Sequence, residues 1–230
     1  MKKHKSWYLP DTEQHFVQQM DEKNIDGYQI EGRQLIFKNL FNLQNFEPKL
    51  AIDIGANVGF WTKDFCETFD KVVAFEPIAS NVECLEKNVP NTNLEIKAYA
   101  LGDKEETKDI FFPQNGNSGS PTFSESNIVD DSVMEKVPTK IKTLDKELHN
   151  IPDEQARNCF IKIDVQGYEK EVLAGAHNFI SNYRPIICIE IRKTRKRHKW
   201  NEFFRNKYGY RSLMNLKKEW TYVCAKKFPD

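Results

Sequence analysis

The sequence predicts an α/β protein: a doubly wound, mostly parallel sheet of seven strands that ends in a C-terminal antiparallel hairpin. Three observations lead there. From residue 50 onward, short apolar runs alternate with segments of helical periodicity, the mark of strand–helix–strand units. The stretch Leu50–Pro77, LAIDIGANVGFWTKDFCETFDKVVAFEP, sets a glycine-bearing turn between one apolar run and a helix, and a second apolar run then ends in Glu76. Finally, Tyr210–Leu216 and Glu219–Ala225 are β-rich runs joined at Lys217-Lys218, which reads as a hairpin.

Taken in order, residues 1–49 precede the first core strand and are expected to cap the cleft. Within them, Gln14–Met20 and Leu35–Leu43 are predicted helices, and Tyr28-Gln29 falls in the loop between them, at the expected mouth. The main domain, 50–230, opens with strand Leu50–Ile54. The helix Phe60–Phe69 follows, with Trp61, Phe65 and Phe69 on one face. Strand Lys71–Phe75 leads to a helix that carries Val82, Leu85 and Val89, and strand Leu94–Tyr99 comes next. The segment 100–158 is too long for a connecting loop and reads as an insertion over the site, with short strands at Asp109–Phe112 and Val137–Leu144 and a polar stretch at Gln114–Ser126. Strand Cys159–Val165, a single helix Tyr168–Ile180 and strand Pro185–Ile191 complete the alternation.

Composition narrows the function classes. Lys plus Arg and Asp plus Glu both number 34, so no global field draws the chain to nucleic acid or to a membrane. A charged fraction of 30% and a mean hydropathy of −0.67 suit a soluble protein with a cytoplasmic location, and no apolar run approaches the length of a membrane span. The five cysteines form no C-x-x-C pair and read as buried free thiols. The one strong charge run, Arg192–Lys199, follows the last parallel strand. A solvated face or phosphate contacts is the favoured reading. RNA, with Trp200 and Phe204 for stacking, is the lesser one.

In doubly wound sheets, ligands sit outside the carboxyl ends of the strands, where this chain places Asp53, Glu76, Asp164 and Glu190. Asp53 with Gly55, Asn57 and Gly59 at one strand end, and Glu76 at the next, suit an adenosine-bearing cofactor. The glycines would let backbone approach it, and Glu76 would accept its ribose hydroxyls. That layout fits either a nicotinamide or an S-adenosylmethionine site. The dinucleotide pattern needs a glycine where Asn57 stands, to make room for pyrophosphate. S-adenosylmethionine has no phosphate, and its positive charges favour a carboxylate at Asp53.

The ordered motifs DIGANVG (53–59), FEP (75–77), ALGD (100–103), NSGS (117–120), TLD (143–145), KIDVQGYE (162–169) and the run from Arg184 to Glu190 resemble the FkbM-type methyltransferase family of class I S-adenosylmethionine-dependent enzymes. The likeness spans about 51–191, with Gln166 where many members carry Glu. It implies a Rossmann-like methyltransferase fold and O-methylation of a hydroxyl on a small molecule or saccharide. The alternatives are an RNA methyltransferase and a non-catalytic binding module. It also implies that Pro77, Ala100, Leu101 and Asp103 border the cofactor and that Asn117, Ser118 and Gly119 form a lid holding substrate. Asp164 is the expected proton acceptor, Glu190 the second candidate, and Lys162 shares their cleft. No metal is expected.

Overall fold

Odd and even positions of each core strand face two different apolar layers, and this alternation fixes which residues can reach the site. The computed structural model describes residues 1–41, 46–113, 116–123, 134–191, 197–216 and 219–224. An antiparallel pair, β1 (Lys2–His4) and β2 (Trp7–Leu9), begins the chain, followed by α1 (His15–Glu22) and α2 (Ile30–Phe41). The core then runs through β3 (Leu50–Ile54), α3 (Phe60–Thr68), β4 (Lys71–Phe75), α4 (Ala79–Asn88) and β5 (Leu94–Lys97). The segment after it holds β6 (Ala100–Leu101), β7 (Glu106–Pro113), β8 (Met134–Lys142), α5 (Leu144–Glu147) and α6 (Asp153–Arg157). Next come β9 (Cys159–Ile163), α7 (Glu169–Ala174), α8 (His177–Tyr183), β10 (Ile186–Glu190), α9 (Arg197–Tyr208), β11 (Tyr210–Leu216) and β12 (Glu219–Cys224).

The central sheet has the order β11-β12-β10-β9-β3-β4-β5. The five strands from β10 to β5 are parallel, while β12 is antiparallel to both β10 and β11. The turn at 217–218 lies outside the described residues. The chain winds outward from β3 through β4 to β5, then returns to lay β9 on the other side of β3. The β3/β9 boundary is therefore the switch point, and a crevice opens beyond its carboxyl end.

Leu50, Ile52 and Ile54 face the layer of α7, α8 and α9, where Leu173, Phe179, Ile180 and Phe204 are buried. Ala51 and Phe160 face α2 and α3, against Ile36, Leu40, Trp61 and Phe65. Asp53 shares the parity of Ala51 and pairs in register with Lys162, so both charges enter the second, aromatic layer.

Three expectations need correction, and one element is additional. The helix foreseen over Tyr168–Ile180 is two helices, because the backbone at Gly175 packs onto the Gly102 carbonyl too closely for any side chain. Asp145 then caps the second helix, accepting the N–H groups of Asn178 and Phe179 at 3.0 and 2.8 Å. The strand expected at Val137–Leu144 runs Met134–Lys142, with Leu144 already in α5, and it joins β6 and β7 in a separate three-stranded sheet. Phe204 is fully buried in the core, so it is unable to stack on nucleic acid; residues 192–196 of the basic run lie outside the described residues. The β1/β2 pair was not foreseen. It delivers Trp7 and Leu9 to a small core with Phe16, Met20 and Phe60. Cys66, Cys84, Cys159 and Cys188 are buried free thiols.

Candidate functional site

The turn after β3 is built by backbone bonds that leave few amides over. Gly55 and Ala56 donate their N–H groups to the Phe75 carbonyl at 2.9 and 3.1 Å, and Gly59 donates to Ala56 at 3.0 Å. Gly55 has φ +83°, and a Cβ there would overlap the Asp164 carbonyl oxygen across the switch point. Gly59, at φ +97°, opens α3, and a Cβ there would lie 2.6 Å from Leu85 Cδ1. Both glycines thus serve chain-on-chain packing, and Gly55 also lines the cleft described below.

Asn57 takes the left-handed conformation at φ +53° and becomes a junction. Its N–H donates to Glu76 Oε2 at 2.8 Å, and its Nδ2 donates to the Ser118 carbonyl at 2.9 Å. Glu76, at the end of β4, accepts Ile78 N–H at 3.0 Å and Asn81 Nδ2 at 3.2 Å on its other oxygen. The same Asn81 Nδ2 also reaches the Ser118 carbonyl at 3.2 Å. On its far side, the Ser118 N–H donates to Glu13 Oε2 at 2.6 Å. The loop 116–120 is therefore clamped between the N-terminal segment and the two asparagines that flank Glu76.

A single cleft of about 260 Å3 runs along these groups. Its lining includes Gly55, Asn57, Glu76, Pro77, Ala100 and Leu101, with Ile110, Phe123 and Tyr168. Asp164, Gln166 and Glu190 also line it, as do His15, Phe16, Tyr28 and Gln29 of the N-terminal segment. Gln166 Nε2 donates to Asp164 Oδ1 at 2.5 Å and to Glu190 Oε2 at 3.1 Å, so one amide ties the two carboxylates together. The Gln166 backbone, at φ +56°, is fixed in turn by the Thr122 hydroxyl, which donates to its carbonyl at 2.9 Å.

The sequence profile of the "Methyltransferase FkbM domain" matches residues 53–212, which spans every motif in this crevice. The chain belongs to the FkbM methyltransferase family. Among solved structures, it is similar to methyltransferase FkbM from Methylobacillus flagellatus KT, at 15% identity and a TM-score of 0.53 over 79% of this chain and 45% of that one. It is also similar to monomeric WbdD, at 10% identity and a TM-score of 0.50 over 94% of this chain and 46% of that one. This chain therefore spans less than half the length of either structure, and at such identities the likeness is one of fold. No curated protein sequence matches it. Among the described residues, no helix is long and apolar enough to cross a membrane, and no three His, Cys, Asp or Glu side chains gather as they would around a metal ion.

Within this FkbM domain, several expected site residues stand elsewhere. Asp53 is buried behind the turn, accepts the Thr62 hydroxyl at 2.7 Å and does not line the cleft. Lys162 is equally buried beneath it, with Nζ 3.6 Å from Asp164 Oδ2 and 5.2 Å from the centre of the Trp61 ring. Asp103 is exposed on the turn between β6 and β7, away from the lining. Asn117 and Gly119 do line the cleft, whereas Ser118 turns inward and is buried.

Burial also sets the charges. Desolvation pushes the Glu76 carboxyl up to about 7, against the opposing bonds from Ile78, Asn57 and Asn81. It pushes Asp53 up to about 6, against the Thr62 hydroxyl and the Lys162 ammonium. Sequence reasoning missed Phe16, Phe60, Phe123 and Tyr168 as lining residues, and gave Gln166 no role. Phe16 is separated from the motifs by a whole segment, and no local spacing connects it to them.

Proposed function

We propose that this FkbM domain is an S-adenosylmethionine-dependent methyltransferase that methylates a hydroxyl on a small molecule or saccharide. The observation that carries the acceptor chemistry is the Asp164–Gln166–Glu190 cluster in the cleft. A carboxylate accepts the proton of a hydroxyl and so raises the nucleophilicity of its oxygen. The same carboxylates would hold an amine in its ammonium form, with no lone pair to offer. Asp164 is the proton acceptor in this reading, Gln166 aims it, and Glu190 is the second acceptor.

The donor groups of the cleft also fit S-adenosylmethionine better than a dinucleotide. A pyrophosphate needs backbone amides at the turn, yet those of Gly55, Ala56 and Asn57 are spent on Phe75 and Glu76. Glu76 accepts three bonds from the described residues, and a carboxylate has room for about four, which leaves a place for one ribose hydroxyl. Pro77, Ala100, Leu101 and Ile110 supply an apolar slot for an adenine. When bound, the cofactor supplies an electrophilic methyl group on a sulfonium. Lys162, beneath the cleft, balances the charge of Asp164, and the aromatic lining excludes water.

Calorimetry tests this reading. S-adenosylhomocysteine and S-adenosylmethionine are expected to bind at one site per chain, and Glu76→Ala is expected to weaken both at least ten-fold. Tighter binding of NAD or NADP would refute it.

A further inference from the structure

We infer that Glu13 is a positioning residue of the cofactor site: through the backbone of Ser118 it holds Asn57 and Asn81 in place around Glu76. The inference rests on the cofactor reading above, in which Glu76 takes a ribose hydroxyl. Glu13 lies outside residues 53–212 and does not itself line the cleft. Any effect it has on the cofactor therefore passes through other groups.

Ser118 is gripped by both of its backbone groups. Its N–H donates to Glu13 Oε2 at 2.6 Å, and its carbonyl accepts Asn57 Nδ2 at 2.9 Å and Asn81 Nδ2 at 3.2 Å. Each asparagine also serves Glu76. Asn57 does so through its backbone N–H to Oε2 at 2.8 Å, and Asn81 through Nδ2 to Oε1 at 3.2 Å. The Asn81 amide has two protons to give, so one group ties Glu76 directly to the loop. Asn81 is fully buried and its Oδ1 accepts no bond among the described residues, so its polar orientation rests on the two acceptors of Nδ2. Burial pushes the Glu76 carboxyl up to about 7, so its capacity to meet a hydroxyl as a charged acceptor near neutral pH depends on these donors staying in place.

The loop has little slack between the two sides. The other oxygen of Glu13 accepts the Phe16 N–H at 2.7 Å, and the Gly116 carbonyl accepts the N–H groups of Gln14 and His15 at 2.7 and 3.1 Å. A Cβ at Gly119 would lie 3.0 Å from Phe16 Cζ and 3.5 Å from Asn57 Nδ2, so a single layer of backbone separates α1 from Asn57. Loss of the Glu13 acceptor leaves the Ser118 N–H to find another partner. Movement of that residue stretches the bonds from Asn57 and Asn81, and hydrogen bonds weaken steeply as their geometry worsens. The Ser118 hydroxyl makes no bond among the described residues, so the backbone at this position carries the link.

Calorimetry with S-adenosylhomocysteine on the full chain tests the proposal, at a temperature where circular dichroism shows each variant folded. Glu13→Gln keeps the size of the side chain but puts an N–H2 group where one oxygen accepted, and is expected to weaken binding about five-fold or more. Ser118→Ala keeps the backbone and is expected to leave affinity within about two-fold. In an Asn81→Leu background the further loss from Glu13→Gln is expected to be smaller, because one route to Glu76 is already cut. Hydrogen exchange of the unmodified chain gives a second measurement that needs no variant. Coupling between two sites is reciprocal, so saturating S-adenosylhomocysteine is expected to slow exchange of the Ser118 amide about five-fold or more beyond its effect on the Asn178 and Phe179 amides, which Asp145 holds. Unchanged affinity in Glu13→Gln, an equal loss in the Asn81→Leu background, or no excess slowing at Ser118 overturns the assignment. Failure of the unmodified chain to bind S-adenosylhomocysteine would instead overturn the cofactor reading on which the proposal rests.

Discussion

The Glu13 carboxylate, wholly buried, accepts the backbone N–H of Ser118 at 2.6 Å and, on its other oxygen, the N–H of Phe16 at 2.7 Å. One side chain so joins the start of α1 to the loop that covers Glu76. Glu13→Ala strands two buried donors, each formerly bonded to a carboxylate, and is expected to cost about 3 kcal/mol of folding stability. Urea denaturation measures it. A loss below about 1 kcal/mol would mean that water reaches both amides and that the clamp is weak.

Glycines at 55 and 32 should respond to alanine with opposite signs. At Gly55 the φ of +83° and the overlap with the Asp164 carbonyl together predict a loss of about 3–5 kcal/mol. At Gly32, inside α2, nothing lies within 4 Å of the added Cβ, so alanine should gain about 0.5–1 kcal/mol from helix propensity alone. Chemical denaturation of the two variants side by side is the measurement, and equal effects would contradict the packing described here.

Stability should fall as the pH rises toward neutrality. Glu76 at about 7 and Asp53 at about 6 keep their protons in the folded chain, where the unfolded chain, near 4, has released them. Between these limits the folded state binds more protons, so rising pH favours unfolding until both groups are ionised. Glu76 alone should account for roughly 2 kcal/mol between pH 5.5 and 7.5, at about 1.4 kcal/mol per pKa unit. Thermal melts of the unmodified chain and of Glu76→Gln across that range would reveal it. An equally steep decline in the variant would assign the effect to other groups.

Asp164→Asn removes charge and basicity while keeping shape. With an accepted hydroxyl substrate in hand, turnover is expected to drop about 10²–10⁴-fold, the span of general acid–base catalysis, with cofactor affinity little altered. Near-normal turnover would transfer the proton-accepting role to Glu190.

The backbone course around the crevice was largely legible in the sequence. Leu50–Ile54 and Lys71–Phe75 are strands at the boundaries their apolar runs suggested, because buried parallel strands are continuous apolar runs flanked by turn residues. Side-chain direction was less legible. Asp53 looked like a ligand-facing acid, but strand parity turns it toward Thr62 and away from the cleft. The N-terminal half of the site was hardest to see, since Phe16 and Glu13 reach the motifs only through tertiary contacts with Gly119 and Ser118. In α9, the spacing of Trp200, Phe203, Phe204 and Tyr208 did carry a helical signal, masked by the charge run just before it.

The N-terminal segment is fastened to the domain by backbone bonds as well as by the buried side chains of Trp7, Leu9, Glu13 and Phe16. Asn88 accepts the Tyr8 N–H at 2.7 Å and donates to the Tyr8 carbonyl at 2.9 Å, while Gly116 accepts the N–H groups of Gln14 and His15 at 2.7 and 3.1 Å. Main-chain attachment of this sort is indifferent to most of the side chains it carries. The exposed side chains of this segment can therefore change while the sheet and its crevice stay as they are, and a protein engineer can vary them on the same frame.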